Sequence, residues 1–149
     1  MNMEETLIFF KPDCINRGLV HIIYEEFILQ NDFVIMSVKP ITVTRKLILA
    51  HYEKNLAECS KEVIERVVRF YEGQSILLMI LKKENAIEEM RTLLGCSDPS
   101  CSAPFTIRGK YGDDSYELAD KENRSCRNLV HASDSKHEYL RERKIWFGY

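Results

Sequence analysis

With 149 residues, 45% of them hydrophobic, the chain is long enough for one domain spanning residues 1–149 with a core of its own. Its formal net charge of −2 excludes a broad, non-specific hold on nucleic acid, which needs a strong positive field. No apolar run approaches the roughly 18 residues of a membrane span, and no membrane partner is expected.

Met1 to Glu5 is short and acidic and lacks the basic-then-apolar order of a signal peptide, so a cytoplasmic location is expected. Thr6–Phe10 is a short apolar run ending at Lys11-Pro12-Asp13, which predicts a strand stopped by a turn. Leu19, Ile23 and Phe27 recur every four residues, the mark of an amphipathic helix, and Asn31-Asp32 breaks it. Phe33 to Val38 is rich in strand formers and is closed by Pro40.

Thr44 can cap a short helix through Tyr52. Val63, Ile64, Val67, Val68 and Tyr71 then fall on one helical face, ended by Gly73. Ile76–Leu81 is unbroken apolar sequence, the pattern of a strand buried on both sides. Ile87, Met90 and Leu94 mark another helix, stopped by Gly95.

Ser97 to Arg124 shows little periodicity and predicts a long irregular loop, a feature that usually has a job inside a compact domain. Arg127–His131 reads as a short strand. Asp134 starts a last helix, in which Tyr139 and Leu140 recur a heptad later as Trp146 and Phe147. Four strands with helices between them predict an α+β, ferredoxin-like sandwich: a four-stranded antiparallel sheet with helices packed on it.

Three segments can carry chemistry. Asn128-Leu129-Val130-His131-Ala132-Ser133-Asp134-Ser135 puts a histidine where a strand ends and a helix begins. Such a junction is exposed, helix-end amides attract anions, and neutral imidazole is a good nucleophile near pH 7. On composition alone a lone histidine is more often structural, so both readings stand at this point. Arg108, beside Gly109, can present a guanidinium to a phosphate or simply be solvated. Lys11, leaving the end of the first strand, points into a site or into water.

The five cysteines are scattered without a C-x-x-C, which reads as free thiols in a reducing compartment and offers no zinc spacing. The sequence has no G-x-x-x-x-G-K-[ST], so any phosphate chemistry is not of the P-loop kind. It has no G-x-G-x-x-G and no H-E-x-x-H either.

Taken in order, the motifs resemble the nucleoside diphosphate kinase family. They are Thr6–Asp13 followed by Arg17-Gly18-Leu19-Val20, then His51-Tyr52, then Leu94–Pro99 leading into Thr106-Ile107-Arg108-Gly109, and last Asn128–Ser135 with Trp146-Phe147 closing the final helix. The resemblance implies a ping-pong transfer in which a nucleoside triphosphate, ATP for example, gives its γ-phosphate to His131 and a nucleoside diphosphate takes it away. It implies that Lys11 binds phosphate and reaches toward the sugar hydroxyl, that Tyr52 stands beside the histidine, and that Arg91 and Arg108 hold phosphate. Ser97 stands where the family usually has a phosphate-contacting threonine. Asn128 matches a ribose contact, Glu142 matches the carboxylate on the histidine's far nitrogen, and Ser133 matches that carboxylate's supporting serine. Mg²⁺ is the implied cofactor, held mainly by the nucleotide phosphates, with no metal-ligand set in the protein. The remaining histidines read otherwise: His51 as structural or next to the site, His21 and His137 as surface positions.

The sequence also departs from the family pattern. Ala132 and Phe105 replace usual glycines, the first tightening its junction and the second loading the loop with bulk. A polar insertion near Asp113–Arg124 lengthens a loop that takes part in subunit contacts in the family. No aromatic aligns with the family's base-stacking phenylalanine near Cys59–Ile64, leaving Val63 as an apolar substitute. The chain stops at Tyr149, before the usual tail. These differences predict a homo-oligomer that is a dimer or tetramer rather than a hexamer. They also motivate the alternative of a catalytically weak or inactive module that binds nucleotides or protein partners. An RNA-binding domain is disfavoured by the net charge and by the lack of paired exposed aromatics on a strand.

Overall fold

A computed structural model describes residues 2–149; Met1, the start of the acidic N-terminal segment, lies outside the described residues. The first strand, β1 (Met3–Phe10), alternates its side chains between two helical layers: Leu7 and Phe9 enter one core, Ile8 and Phe10 the other. After Lys11 the chain enters a helix rather than a turn. Pro12 occupies the first helical position of α1 (Pro12–Asn16), where its fixed φ suits a helix and its missing N–H costs nothing. Helix α2 (Val20–Ile23) continues through a π turn at Tyr24–Ile28 and a 3-10 turn at Leu29–Asn31, and Asp32 ends it at φ +62°. Ile23 and Phe27 are buried, as their spacing requires.

Strand β2 (Val34–Thr42) runs on through Pro40 instead of stopping there. It lies at the sheet edge, where a residue without an N–H is tolerated. Thr44 caps α3 (Arg45–His51) by accepting from the Leu47 amide, and α4 (Glu53–Leu56) comes next. Ser60 caps α5 (Lys61–Tyr71) in the same way; Val68 and Tyr71 go into the core, whereas Val63 stays at the surface. Strand β3 (Ser75–Glu84) is central, and α6 (Ala86–Leu94) buries Ile87, Met90 and Leu94 before Gly95 ends it at φ +91°.

The stretch expected to be irregular is ordered. It holds a 3-10 turn at Pro99–Cys101, then α7 (Ile107–Tyr111) and α8 (Tyr116–Lys121), capped by the Thr106 and Ser115 hydroxyls. Helices this short complete too few turns to show a period. Strand β4 (Val130–Ala132) is shorter than Arg127–His131, because Leu129 sits at φ +73° and breaks the extended backbone just before it. The last helix, α9 (Lys136–Phe147), is capped by Ser135 rather than Asp134. Tyr139 and Trp146 are buried, whereas Leu140 is exposed.

The sheet order is β2-β3-β1-β4, all antiparallel, which is the ferredoxin-like arrangement expected. Helices α1, α2 and α6 pack on one face, and α3, α5 and α9 on the other. Burying one side chain such as Phe9 stabilises the fold by roughly 2–3 kcal/mol. All five cysteines are free, and among the described residues no helix is long and apolar enough to cross a membrane.

Candidate active site

The site forms where β4 leaves the sheet edge. His131 lies directly opposite Phe9 on β1, and the two rings stack with centroids 4.8 Å apart. The chain turns at Ser135 into α9, which runs back past the strand and returns Glu142 to the imidazole. His131 Nε2–H donates to Glu142 Oε1 at 2.9 Å, and Ser133 Oγ donates to the same oxygen at 2.6 Å. Both Glu142 and Ser133 are buried. This bonding selects the tautomer with its proton on Nε2 and leaves Nδ1 with a lone pair. Among the described residues Nδ1 has no hydrogen-bond partner and is not sealed off, so it opens onto the cleft.

The lower wall is a second imidazole. His51, at the end of α3, meets the His131 ring edge-on at 4.5 Å. Trp146 Nε1 donates to His51 Nδ1 at 2.9 Å, fixing that ring from behind. Arg141 donates to the Ala50 and His51 carbonyls and ties α9 to α3.

Cations gather on the other side. Arg108 is buried on α7, with its guanidinium spread over three carbonyl oxygens, those of Asn128, Gly95 and Val130. The neighbouring Gly109 is obligatory: a Cβ there would lie 1.8 Å from the Ala103 carbonyl oxygen. Lys11 Nζ donates to Asn128 Oδ1 at 2.5 Å, and Asn128 Nδ2 donates to the Ser97 carbonyl at 2.9 Å. Arg91 on α6 reaches the Ala132 carbonyl at 3.3 Å. Tyr52 shares a 3.0 Å hydroxyl contact with Tyr71.

Crowding sets the charges. Burial and then the nearby Lys11, Arg108 and Arg91 hold the His131 imidazole well below its ordinary value, so it is neutral at pH 7. Burial, followed by the Arg108 charge, brings the Lys11 ammonium down to about 7. Arg108 falls to about 10 through burial and then Arg91. Burial pushes the Glu142 carboxyl up, opposed by His51 and the Ser133 hydroxyl. The arrangement is a neutral nucleophile in a pocket of hindered cations, which an incoming polyanion would relieve.

Of the residues singled out by sequence, Lys11, Tyr52, Arg91, Ser97, Arg108, Asn128, His131 and Glu142 line a single cleft of about 680 Å³. Ser133 lies beneath it, fully buried. Ser97 reaches the network through its backbone carbonyl.

A sequence profile of the nucleoside diphosphate kinase family matches residues 4–149. The chain belongs to this family. It is 35% identical to the nucleoside diphosphate kinase of Schizosaccharomyces pombe, over 99% of this chain and 88% of that one. It is 34% identical to that of Pyrobaculum aerophilum, over 99% and 96% respectively. Its fold superposes with a TM-score of 0.90 on a nucleoside diphosphate kinase from Borrelia burgdorferi, a transition state mimic with bound vanadate and ADP; identity there is 26%, covering 97% of this chain and 87% of that one. As a nucleoside diphosphate kinase family member the protein is a phosphotransferase, and its chemistry is nucleotide phosphotransfer.

Two departures from the family pattern have definite places in the structure. Ala132 is buried in the core beside Met90 and Leu94, and its carbonyl serves Arg91. Phe105 projects outward, 75% exposed, and adds no bulk to the cleft. Val63 does not line the cleft but a groove next to it. Three supporting residues escaped sequence reasoning. Asp13 holds the left-handed Leu129 by accepting from its amide at 3.1 Å. Arg141 and Trp146 fix His51. Asp13 and Trp146 lie inside quoted motifs and Arg141 lies next to Glu142, but their roles had no local signal, because each acts on a partner far away in the chain.

Proposed function

We propose that the protein transfers the γ-phosphate of a nucleoside triphosphate to a nucleoside diphosphate by a ping-pong mechanism through a phosphohistidine on His131. The observation that carries this reading is the Ser133–Glu142–His131 chain, which leaves Nδ1 free in the cleft that Lys11, Arg91 and Arg108 also line. Nδ1 attacks the γ-phosphorus, the bond to the β,γ-bridging oxygen breaks, and the nucleoside diphosphate leaves. A second diphosphate then attacks the phosphohistidine with a β-phosphate oxygen, and the N–P bond breaks. The Nε2 proton stays with the ring while the Glu142 carboxylate balances the positive charge that develops on it. Arg91, Arg108 and Lys11 stabilise the charge spread over the phosphoryl oxygens in transit. Asn128 and Tyr52 position Lys11 and the cleft wall, and Ser97 borders the phosphates.

Mg²⁺ fits this donor set as an ion carried by the nucleotide. His51, His131 and Glu142 stand together, but they are nitrogen-rich, and His51 Nδ1 is already taken by Trp146. Glu138 is paired with Arg141 and Lys54. Asp134 is exposed at the cleft rim and is the carboxylate that would meet the ion, directly or through water. When bound, Mg²⁺ would neutralise phosphate charge.

The test is incubation with γ-labelled ATP, followed by a search for an acid-labile, alkali-stable phosphoenzyme. Wild type forms it and His131→Ala does not; a wild type that forms none overturns the reading. The proposal extends to a cytoplasmic homo-oligomer, a dimer or tetramer rather than a hexamer. The exposed Val34, Met36 and Val38 on the edge strand β2 support self-association through that edge. Light scattering that returns a hexamer would overturn that part.

A further inference from the structure

A second polar cavity, of about 280 Å³, lies between α1, α5 and the segment that leads from the insertion into β4. It shares no lining residue with the catalytic cleft. Four arginines line it: Arg66 and Arg69 from α5, Arg124 and Arg127 from the segment before β4. The one acid among its lining residues is Asp13, whose Oδ2 is taken by the Leu129 amide. Burial raises the Asp13 carboxyl, and the Lys11 charge opposes that shift, so this acid is matched from the catalytic side.

The four arginines are not equivalent. Arg124 is spent on Asp114 and Glu122. Arg66 pairs with Asp120 at 3.2 Å and with Asn123 Oδ1 at 2.6 Å. Arg69 makes a single bond, to the neutral Asn123 carbonyl at 2.9 Å, and has no carboxylate in salt-bridge range among the described residues. The Arg127 guanidinium has no partner at all among the described residues, although its backbone amide is fixed by Asp114 at 2.8 Å. The side chains of Gln74 and Ser125 are unbonded as well. Two uncompensated positive charges, with further unused donors beside them, therefore border one cavity. Like charges gathered in this way raise the local potential and favour an anion.

The frame around these donors is braced. The Arg124 fork on the buried Asp114 anchors the segment before β4, and Arg66 ties α5 to Asn123. The spent arginines thus hold the walls, and the exposed Arg69 and Arg127 remain available. Between the polar groups lie Pro12, buried at the start of α1, and the half-buried ring of Phe70.

We propose that this cavity is a second anion site, separate from phosphotransfer at His131, that takes a small phosphate monoester with Arg69 and Arg127 as its charged anchors. A guanidinium matches phosphate oxygens in a two-pronged fork, and two of them match a dianion. The cavity is larger than a phosphate needs, and Phe70 and Pro12 give the organic group an apolar surface. A phosphodiester carries one charge and meets the pair less well.

The experiment titrates the full chain with phenyl phosphate, inorganic phosphate and dimethyl phosphate. Calorimetry reads affinity, and amide chemical-shift mapping separates this cavity from the cleft. Phenyl phosphate should shift the amides of Phe70, Gln74, Ser125 and Arg127, and should bind there more tightly than inorganic phosphate, with dimethyl phosphate weakest. Arg69→Ala and Arg127→Ala should each weaken this binding roughly tenfold, and the double variant should abolish it. Both side chains are exposed, so urea midpoints should hold and show that the variants fold. Arg127→Lys keeps the charge without the fork and should recover part of the loss. If phenyl phosphate shifts only amides of the cleft, or if the double variant binds it as wild type does, the site is wrong. If inorganic phosphate binds as tightly as phenyl phosphate, the assignment to a monoester is wrong. If the cavity amides respond as expected but wild type forms no phosphoenzyme, this site stands and the reaction proposed above fails.

Discussion

The floor of the cleft and its outer wall are held by different forces. On the floor, Glu142 and Ser133 are out of water and hold His131, which opens only onto the cleft, by hydrogen bonds between β4 and α9. Arg108 is clamped by carbonyls from two segments that meet only in the folded state. The outer wall, α8 and its flanks, is mostly exposed and mixes polar side chains with Tyr116 and Leu118. Its braces are ion pairs such as Arg66–Asp120, whose acid is 75% exposed. The difference separates precision from adaptability. Phosphoryl transfer demands groups fixed to within about an ångström, whereas an exposed wall braced by ion pairs tolerates small movement. Perturbing each region should therefore give effects of very different size.

The largest effect is expected at the nucleophile. His131→Ala should reduce phosphotransfer on the order of 10⁴-fold or more, because no neighbouring group replaces a lost nucleophile. His51 is the nearest imidazole, but its Nδ1 is engaged by Trp146 and burial keeps it inside the wall. Quench-flow measurement of phosphoenzyme checks this, and substantial labelling of His131→Ala would place the chemistry elsewhere. Next comes Arg108→Ala, with a loss of about 10²–10³-fold in kcat from the missing transition-state donor. It should also lower stability by roughly 1–3 kcal/mol, since buried carbonyls lose their donor. A variant that loses activity without losing stability in urea would show that those carbonyls find water.

The same contrast explains what was legible in the sequence. The strand ending at Phe10, the helix stopped by Gly95 and the His131 junction each carry a local signal: an apolar run, a period, a strand-to-helix switch. Much of the site was legible too, because its side chains lie within motifs. What was hidden depends on distant pairs or on lengths below one period. Lys11 meets Asn128 from the other end of the chain, and Trp146 meets His51. The left-handed Leu129 shortens β4, and nothing in Asn128-Leu129-Val130 announces it; Asp13 stabilises it from another helix. Helices α7 and α8 are too short to show a period, so the wall read as loop. Pro40 looked like a strand end only because sequence cannot distinguish an edge strand from a central one.

A smaller effect should come from pH, and it tests the floor alone. In the nucleotide-free protein Lys11 titrates near 7, so raising the pH through that value removes a cation the incoming phosphates need. The kcat/KM for a nucleoside triphosphate should fall about tenfold per pH unit above it, because kcat/KM follows the free enzyme. Bound phosphates add negative charge beside Lys11 and raise its pKa, so kcat should hold to higher pH. On the acid side His131, already pulled below its ordinary value, stays neutral through pH 6.5, and the loss begins lower. Lys11→Arg keeps its charge throughout and should move the alkaline limb upward, whatever it does to the maximum rate. An unmoved limb would mean that another group is responsible.

The smallest effect is expected at the wall's braces, where the two regions can be uncoupled. Arg66→Ala removes two contacts from α5 to the segment around α8, yet the Arg69 bond to the Asn123 carbonyl remains. Exposed ion pairs are worth little, so global stability should drop by about 1 kcal/mol or less. The base of the insertion rests on something firmer. Asp114, almost wholly buried, accepts a two-pronged bond from Arg124 at 2.6 and 2.9 Å. Burial alone would push its carboxyl up, but the Arg124 fork and the Arg127 and Ser115 amides overcome this and hold it well below the ordinary carboxylate range. Because the folded value is depressed, this contribution is complete above the unfolded carboxylate pKa of about 3.9 and is lost as pH falls through the folded value. At neutral pH, then, Arg66→Ala should loosen α8 without detaching the insertion. Hydrogen exchange at the α8 amides should speed up while that of β1 and β3 stays unchanged. If β1 exchange accelerates equally, the wall and the sheet unfold as one unit, and the separation between a rigid floor and a braced wall is wrong.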